Sequence, residues 1–149
     1  MPETQDAQDV QDSSESMPPT DSPLDGKTVV IADDDPDVQQ GVETAMEPLG
    51  AKILLAKNGD QAVKVIEENE VDLIILDVMM PGRSGFLVAE AVKKGKGPSE
   101  KPYIIMITAN EGKRHQVWAE SQIGVNAYFQ KPVPLRKLVE AAEGLFKDE

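Results

Sequence analysis

Five short apolar runs, each closed by a polar residue and separated from the next by a longer amphipathic or polar stretch, restrict this chain to very few architectures. The runs are 28–32, 53–56, 71–76, 103–107 and 127–129. The third, Val71-Asp72-Leu73-Ile74-Ile75-Leu76, is apolar at every position except Asp72. A strand with one wet face alternates apolar and polar residues, whereas a continuously apolar strand is covered on both faces, as in a parallel sheet. The segments between the runs have helical periodicity. Val38, Val42, Ala45, Met46 and Leu49 share one face behind Pro36, which suits a first helical turn; Pro48 frays the last turn and Gly50 stops it. Asn58 is placed to cap a second helix with Ala62, Val65 and Ile66 inward. Phe86, Val88, Ala89 and Val92 support a third helix, and Leu135, Leu138, Val139, Ala142, Leu145 and Phe146 a last one over 134–147. A weaker helix is expected around 112–122, and 95–102 reads as a polar connector. Strand and helix alternating in this way predict an α/β, three-layer doubly wound fold with one five-stranded parallel sheet.

Composition removes several kinds of chemistry. The chain has no cysteine, which excludes disulfides, thiolate metal sites and thiol nucleophiles. His115 is the single histidine, so no mechanism can use a histidine pair, and a solvated surface role is expected for it. No apolar run approaches the roughly 20 residues of a membrane span, and the amino terminus has no secretory pattern; no membrane contact and a cytoplasmic location are expected. A net charge of −12 argues against nucleic acid as a partner. The first 25 residues hold seven acids, four prolines and no Lys or Arg. Too little apolar surface is available there to offset the entropy of ordering. The expectation is a disordered acidic tail over 1–25 and one domain over 26–149, with removal of 1–25 leaving stability nearly unchanged.

In open parallel sheets, sites lie outside the carboxyl ends of the strands. The polar residues at those ends are Asp33, Asp34 and Asp35 after the first run, Asp77 after the third, Thr108 after the fourth and Lys131 after the fifth. Taken singly, each has a plain structural explanation: a turn former, a solvated helix start whose acids suit the dipole, a β-branched strand residue, a surface turn. Together they form a phospho-acceptor set. Clustered carboxylates need a cation, and oxygen ligands with few protein groups suit Mg²⁺. An aspartate carboxylate can act as the nucleophile in phosphoryl transfer, a reaction that needs mainly positioning and charge neutralisation. The Lys131 ammonium and the Thr108 hydroxyl supply the rest.

Ile31-Ala32-Asp33-Asp34-Asp35-Pro36, Leu76-Asp77-Val78-Met79-Met80-Pro81-Gly82, Ile107-Thr108-Ala109 and Tyr128-Phe129-Gln130-Lys131-Pro132 resemble the motifs of response-regulator receiver domains, over about 26–147. The resemblance implies strand order 2-1-3-4-5, as in flavodoxin-like folds, and a part in a two-component phosphorelay. It implies Asp77 as phosphoacceptor, and Asp33 and Asp34 with Asp77 and the Met79 backbone carbonyl as the Mg²⁺ site. Lys131 would pair with the phosphate, and Thr108 and Tyr128 would form a switch, Tyr128 turning in from a more exposed position. Met79 and Asn110 would tune dephosphorylation. The partners implied are a histidine kinase or histidine phosphotransfer protein and a downstream protein target met through the 112–146 face.

The chain departs from the family pattern at Pro134, in the length of the 95–102 connector and in Glu120-Ser121-Gln122 near the end of the weak helix, where Trp118 also lies. The expected role is a stand-alone receiver without an output domain, whose only reactions are its own phosphorylation and dephosphorylation. One alternative is a haloacid-dehalogenase-like phosphatase with Asp33 as nucleophile, since Asp33-Asp34-Asp35 contains an Asp-x-Asp. The other is a binding module that works without phosphorylation.

Overall fold

The structure is a computed structural model that describes residues 21–95, 102–109 and 124–147. The five apolar runs form strands β1 (Thr28–Ala32), β2 (Lys52–Ala56), β3 (Leu73–Asp77), β4 (Tyr103–Thr108) and β5 (Ala127–Gln130). They make one sheet in the order β2-β1-β3-β4-β5, with every neighbouring pair parallel. Parallel neighbours cannot be joined by tight hairpins. The chain passes instead through helices α1 (Pro36–Met46), α2 (Gly59–Glu68) and α3 (Gly85–Lys93), and α4 (Leu135–Phe146) follows β5. Because β1 has β2 on one side and β3 on the other, the connections leaving β1 and β3 diverge. The crevice between them, at the carboxyl ends of the strands, is where polar loops can converge on a ligand.

Period-two alternation divides the strands between two cores. Val30, Ala32, Ile74, Leu76, Ile104 and Met106 pack with Ala62, Val63 and Ile66 of α2 and Val88, Ala89 and Val92 of α3. Val29, Ile31, Leu73, Ile75, Ile105 and Ile107 face the other way, onto Val42 and Met46 of α1 and Leu138, Ala142 and Phe146 of α4. The uninterrupted apolar pattern of the central strands is therefore two half-patterns superposed, each satisfying a different helical layer. Asp72 is the exception for a local reason. It precedes β3, and its carboxylate accepts the Thr28 amide hydrogen at 2.9 Å, fastening β1 and β3 at their amino ends.

Helix starts follow the side-chain chemistry. Asp35 and Asn58 cap α1 and α2 by accepting from the amides of Asp37 and Gln61, and Ser84 caps α3. Pro48 does not merely fray α1: residues Glu47–Leu49 continue as a 3₁₀ turn that ends at Gly50, with φ +85°. Pro134 starts α4 without any side-chain cap. The expected helix at 112–122 lies outside the described residues, as does the connector over 96–101.

The expected tail boundary is corrected. Residues 21–25 do not lie outside the domain: Leu24 is fully buried, packed among Val29, Val42, Met46, Leu138 and Phe146. Turn bonds from Asp25 to Ser22 and from Lys27 to Leu24 shape the segment, and the Gly26 amide donates to the Gly50 carbonyl at 3.0 Å. The Ser22 hydroxyl donates to Glu143 of α4 at 2.8 Å. A scattered leucine in a polar stretch gave no periodic signal, yet it fills the layer between α1 and α4. Leu24→Ala should therefore destabilise the domain by about 2–4 kcal/mol, as for other leucines lost from a packed core. Urea unfolding checks this, and an unchanged midpoint would return 21–25 to the tail.

Candidate functional site

Four of the five strand ends, those of β1, β3, β4 and β5, bring the candidate polar groups to the carboxyl edge of the sheet. Asp33 follows β1 directly; its amide donates to the Ala56 carbonyl at 3.0 Å, extending the β1–β2 ladder by one rung. Its carboxylate oxygen Oδ1 accepts the Asp35 amide hydrogen at 2.9 Å, so the turn into α1 also orients the side chain. Asp77 ends β3, Thr108 ends β4, and Lys131 follows β5. The Lys131 amide donates to the Thr108 carbonyl at 2.7 Å, which fixes where its side chain departs, and its peptide bond to Pro132 is cis.

The carboxylates of Asp33, Asp34 and Asp77 each place an oxygen within 4.8 Å of the others. Asp33 and Asp77 are buried, while Asp34 is exposed and opens the cluster to water. Lys131 reaches in from the far side: Nζ lies 3.0 Å from Asp33 Oδ2 and 3.5 Å from Asp77 Oδ2. Asp77 Oδ1 accepts the Met79 amide hydrogen at 3.2 Å. The loop beyond β3 closes back on the sheet, with the Val78 amide on the Ile107 carbonyl at 3.0 Å and the Gly85 amide on the Val78 carbonyl at 2.9 Å. A side chain at Gly85 would collide with the Asp77 carbonyl, so only glycine lets α3 start this close to the end of β3. Its requirement was not singled out in the sequence, where it is one glycine among several.

Electrostatics follow from this packing. Burial, then the Asp33 charge, pushes the Asp77 carboxyl up to about 6, against the pull of Lys131 and the Met79 amide; Asp34 adds to the rise. Burial alone would lower the Lys131 pKa, but its hydrogen bond to Asp33 and the charges of Asp77 and Asp33 raise it above the ordinary value. Three carboxylates against one ammonium leave negative charge in a site of low dielectric. Hard oxygen donors, an open side toward solvent and few protein ligands fit Mg²⁺ with its retained waters. The residues placed to hold it are Asp33, Asp34 and Asp77.

The remaining expected residues divide. Thr108 is buried at the end of β4, one residue beyond Ile107, which pairs with Asp77 in the neighbouring strand. Tyr128 lies next to Met106 in the register of β4 and β5 and is half-buried against the core shared with α2 and α3. Its expected resting position was more exposed; β5 instead packs it inward here. Met79 is 68% exposed and lines, with Asp34, Val78, Met80, Pro81 and Ser84, a cavity of about 380 Å³ beside the carboxylates. Asn110, His115 and Trp118 lie outside the described residues, as does the 112–123 part of the expected partner face. No helix among the described residues is long and apolar enough to cross a membrane.

Comparison with known proteins agrees with this geometry. A sequence model described as response regulator receiver domain matches residues 29–143. The phosphate regulon transcriptional regulatory protein PhoB of Pseudomonas aeruginosa is 34% identical over 122 residues, which make up 82% of this chain and 52% of that protein. The chain thus spans about half the length of that relative. The receiver domain of a Francisella response regulator is 25% identical, with a TM-score of 0.73, over 83% of this chain and 98% of that one. A CheY-like receiver domain protein from Methanospirillum hungatei JF-1, at 24% identity, shares the fold with a TM-score of 0.71, over 82% and 94% of the two chains. These matches overturn the haloacid-dehalogenase alternative.

The position of Asp77 sets a pH dependence. The folded metal-free protein holds a proton on this carboxyl up to about pH 6, whereas the unfolded chain releases it near the ordinary aspartate value of 3.8. The folded state binds more protons over that interval, so the group's contribution to stability falls as pH rises from about 4 through 6 and is flat above. Asp77→Asn removes this loss. In EDTA the variant should match wild type near pH 4 and exceed it by about 2–3 kcal/mol at pH 7, measured by urea unfolding across pH. A difference independent of pH would show that Asp77 titrates normally.

Proposed function

The chain belongs to the response regulator receiver domain family, and from that premise we propose that it accepts a phosphoryl group on Asp77 and signals by a change of shape to a protein partner. Domains of this family are signalling modules of two-component systems rather than conventional enzymes. They receive the phosphoryl group on aspartate, interact with histidine kinases or phosphotransfer proteins, and bind Mg²⁺ at an acidic cluster. The observation that carries the assignment is the Lys131 ammonium, just past β5, lying within 3.5 Å of both Asp33, just past β1, and Asp77 at the end of β3.

In this reading a carboxylate oxygen of Asp77 attacks the donor phosphorus, and the bond to the leaving group breaks with its electron pair departing on that group. Asp33, Asp34 and Asp77, with the Met79 backbone carbonyl, would hold Mg²⁺, which would neutralise charge on the carboxylates and the transferring oxygens. The Met79 amide holds Asp77 Oδ1, so the carboxylate meets the donor in one orientation. Lys131 is the cation already in place to pair with the arriving phosphoryl oxygens. The Thr108 hydroxyl donates to the phosphoryl group, and Tyr128 responds beside it on β5. Met79 borders the site, and Met79 and Asn110 would govern how readily water removes the group.

Two measurements test this reading. After incubation with acetyl phosphate and Mg²⁺, intact mass should show one added phosphoryl group on wild type and none on Asp77→Asn, with Asp34→Ala weakening Mg²⁺ dependence. Labelling of Asp77→Asn at wild-type extent would move the nucleophile elsewhere. Beryllofluoride with Mg²⁺, a stand-in for the phosphoryl group, should shift NMR signals over 108–130, and Thr108→Ala should shrink that response. Shifts confined to Asp33, Asp77 and their immediate neighbours would sink the Thr108–Tyr128 switch.

A further inference from the structure

Gln39 is a buried polar side chain that none of the chemistry above uses. It lies in the first turn of α1 and is 5% exposed, on the same inner face as Val42 and Met46. An amide there is costlier to bury than a leucine or methionine unless its hydrogen bonds are made. Its Nε2 donates to the Ala56 carbonyl at 2.8 Å, a fully buried bond. That carbonyl is the same one that accepts the Asp33 amide hydrogen. A carbonyl oxygen has two lone pairs, and both are engaged at this rung.

The rung matters because of where it lies. It is the first bond beyond the paired residues of β1 and β2, whose register ends at Ala32 and Ala56. Beyond it the chain leaves the sheet as Asp33, Asp34 and Asp35 and enters α1. Ends of strands open most readily, and Asp33 at this end carries a carboxylate that must face both Asp77 and Lys131. Gln39 closes a loop of contacts from α1 to the tip of β2 and back through the Asp33 amide, and its own amide nitrogen bonds the Asp35 carbonyl at 3.0 Å. The whole Asp33–Asp35 turn is held between these points.

We propose that Gln39 is a positioning residue for the acidic centre, its side-chain amide and the Asp33 main-chain amide sharing the Ala56 carbonyl so that Asp33 and Asp34 are set at the spacing a divalent cation requires. Gln39 touches neither the cation nor the phosphoryl group and acts through the backbone of Asp33. This role rests on the assignment of Asp33, Asp34 and Asp77 as the Mg²⁺ ligands. Groups that orient metal ligands typically account for 10–100-fold in affinity, and Gln39, acting one bond further out, belongs at the lower end.

Gln39→Met keeps the length and volume of the side chain and deletes the donor. Titration of the apo protein with Mg²⁺, followed through backbone amide NMR shifts of Asp34 and Met79, should show a Kd raised roughly tenfold over wild type. The urea midpoint in EDTA should be unchanged or higher, a combination that a merely structural glutamine would not produce. With acetyl phosphate at saturating Mg²⁺, labelling of the variant should recover, because the defect is in cation affinity and not in the nucleophile. A Kd within twofold of wild type, or a fall in midpoint that accounts for the change in Kd, would overturn the role. A second measurement needs no variant: in wild type the Gln39 side-chain amide signals should shift along the same Mg²⁺ binding curve as the Asp33 amide, and signals that stay fixed would also overturn it. Wild type that fails to bind Mg²⁺ at all overturns the metal-site assignment and this role with it, whereas normal wild-type binding with an unaffected variant overturns this role alone.

Discussion

One ammonium stands between two buried carboxylates. Lys131 Nζ touches Asp33 and Asp77, and these three residues lie just past β5, just past β1 and at the end of β3, so the contact ties together the ends of strands that are not all neighbours in the sheet. Two carboxylates this close and this deeply buried could not both stay ionised without compensation, and removing one charged partner from a buried set usually leaves the others costly. The crevice at the carboxyl edge of the sheet keeps its shape because the lysine is present. The compensation is partial, with three carboxylates facing one ammonium, so the crevice also keeps negative charge. A site neutralised completely would have no use for a cation, and one left without Lys131 would be a strongly repulsive acidic cluster.

The two-sided core makes such an edge possible. Each central strand is clamped by apolar side chains above and below, so its last residue is fixed by the packing of the residues before it. Asp77 inherits its position from Leu73, Ile74, Ile75 and Leu76, all fully buried, and Thr108 in the same way from Ile104 to Ile107. Polar residues at strand ends can therefore be held where they are electrostatically unfavourable, the strain being carried by a core that has no other arrangement available.

Much of this was legible in the sequence, and the reasons differ by residue. Strand positions could be read because burial on both faces forces continuous apolarity, and the caps at Asp35 and Asn58 because their chemistry is local. The site could be read because parallel topology sends every carboxyl end to one side, so Asp33, Asp77, Thr108 and Lys131 needed no distances to be grouped. What escaped depends on contacts between distant parts of the chain. Leu24 has no periodic neighbours, and only the gap between α1 and α4 explains its burial. Gly85 is one of 11 glycines until α3 is seen starting against the Asp77 carbonyl. Gln39 did leave a trace, lying three residues before Val42 and seven before Met46, but periodicity counts only apolar residues. Tyr128 shows the limit for side-chain placement: a motif names the residue, while the packing of β5 decides which way the ring faces.

The docked segment at 21–25 also gives the molecule a direction. It joins the sheet just before β1, at the opposite end of the strand from Asp33, and a five-residue strand spans about 17 Å. The segment therefore sits at the pole facing away from the carboxylate crevice. A fluorophore, an affinity tag or a surface tether fixed at the exposed Asp21 would be held at that pole and not at the crevice. The same handle is fixed to α4 through Ser22 and Glu143, so force applied to it would be felt along that helix before it reached the sheet.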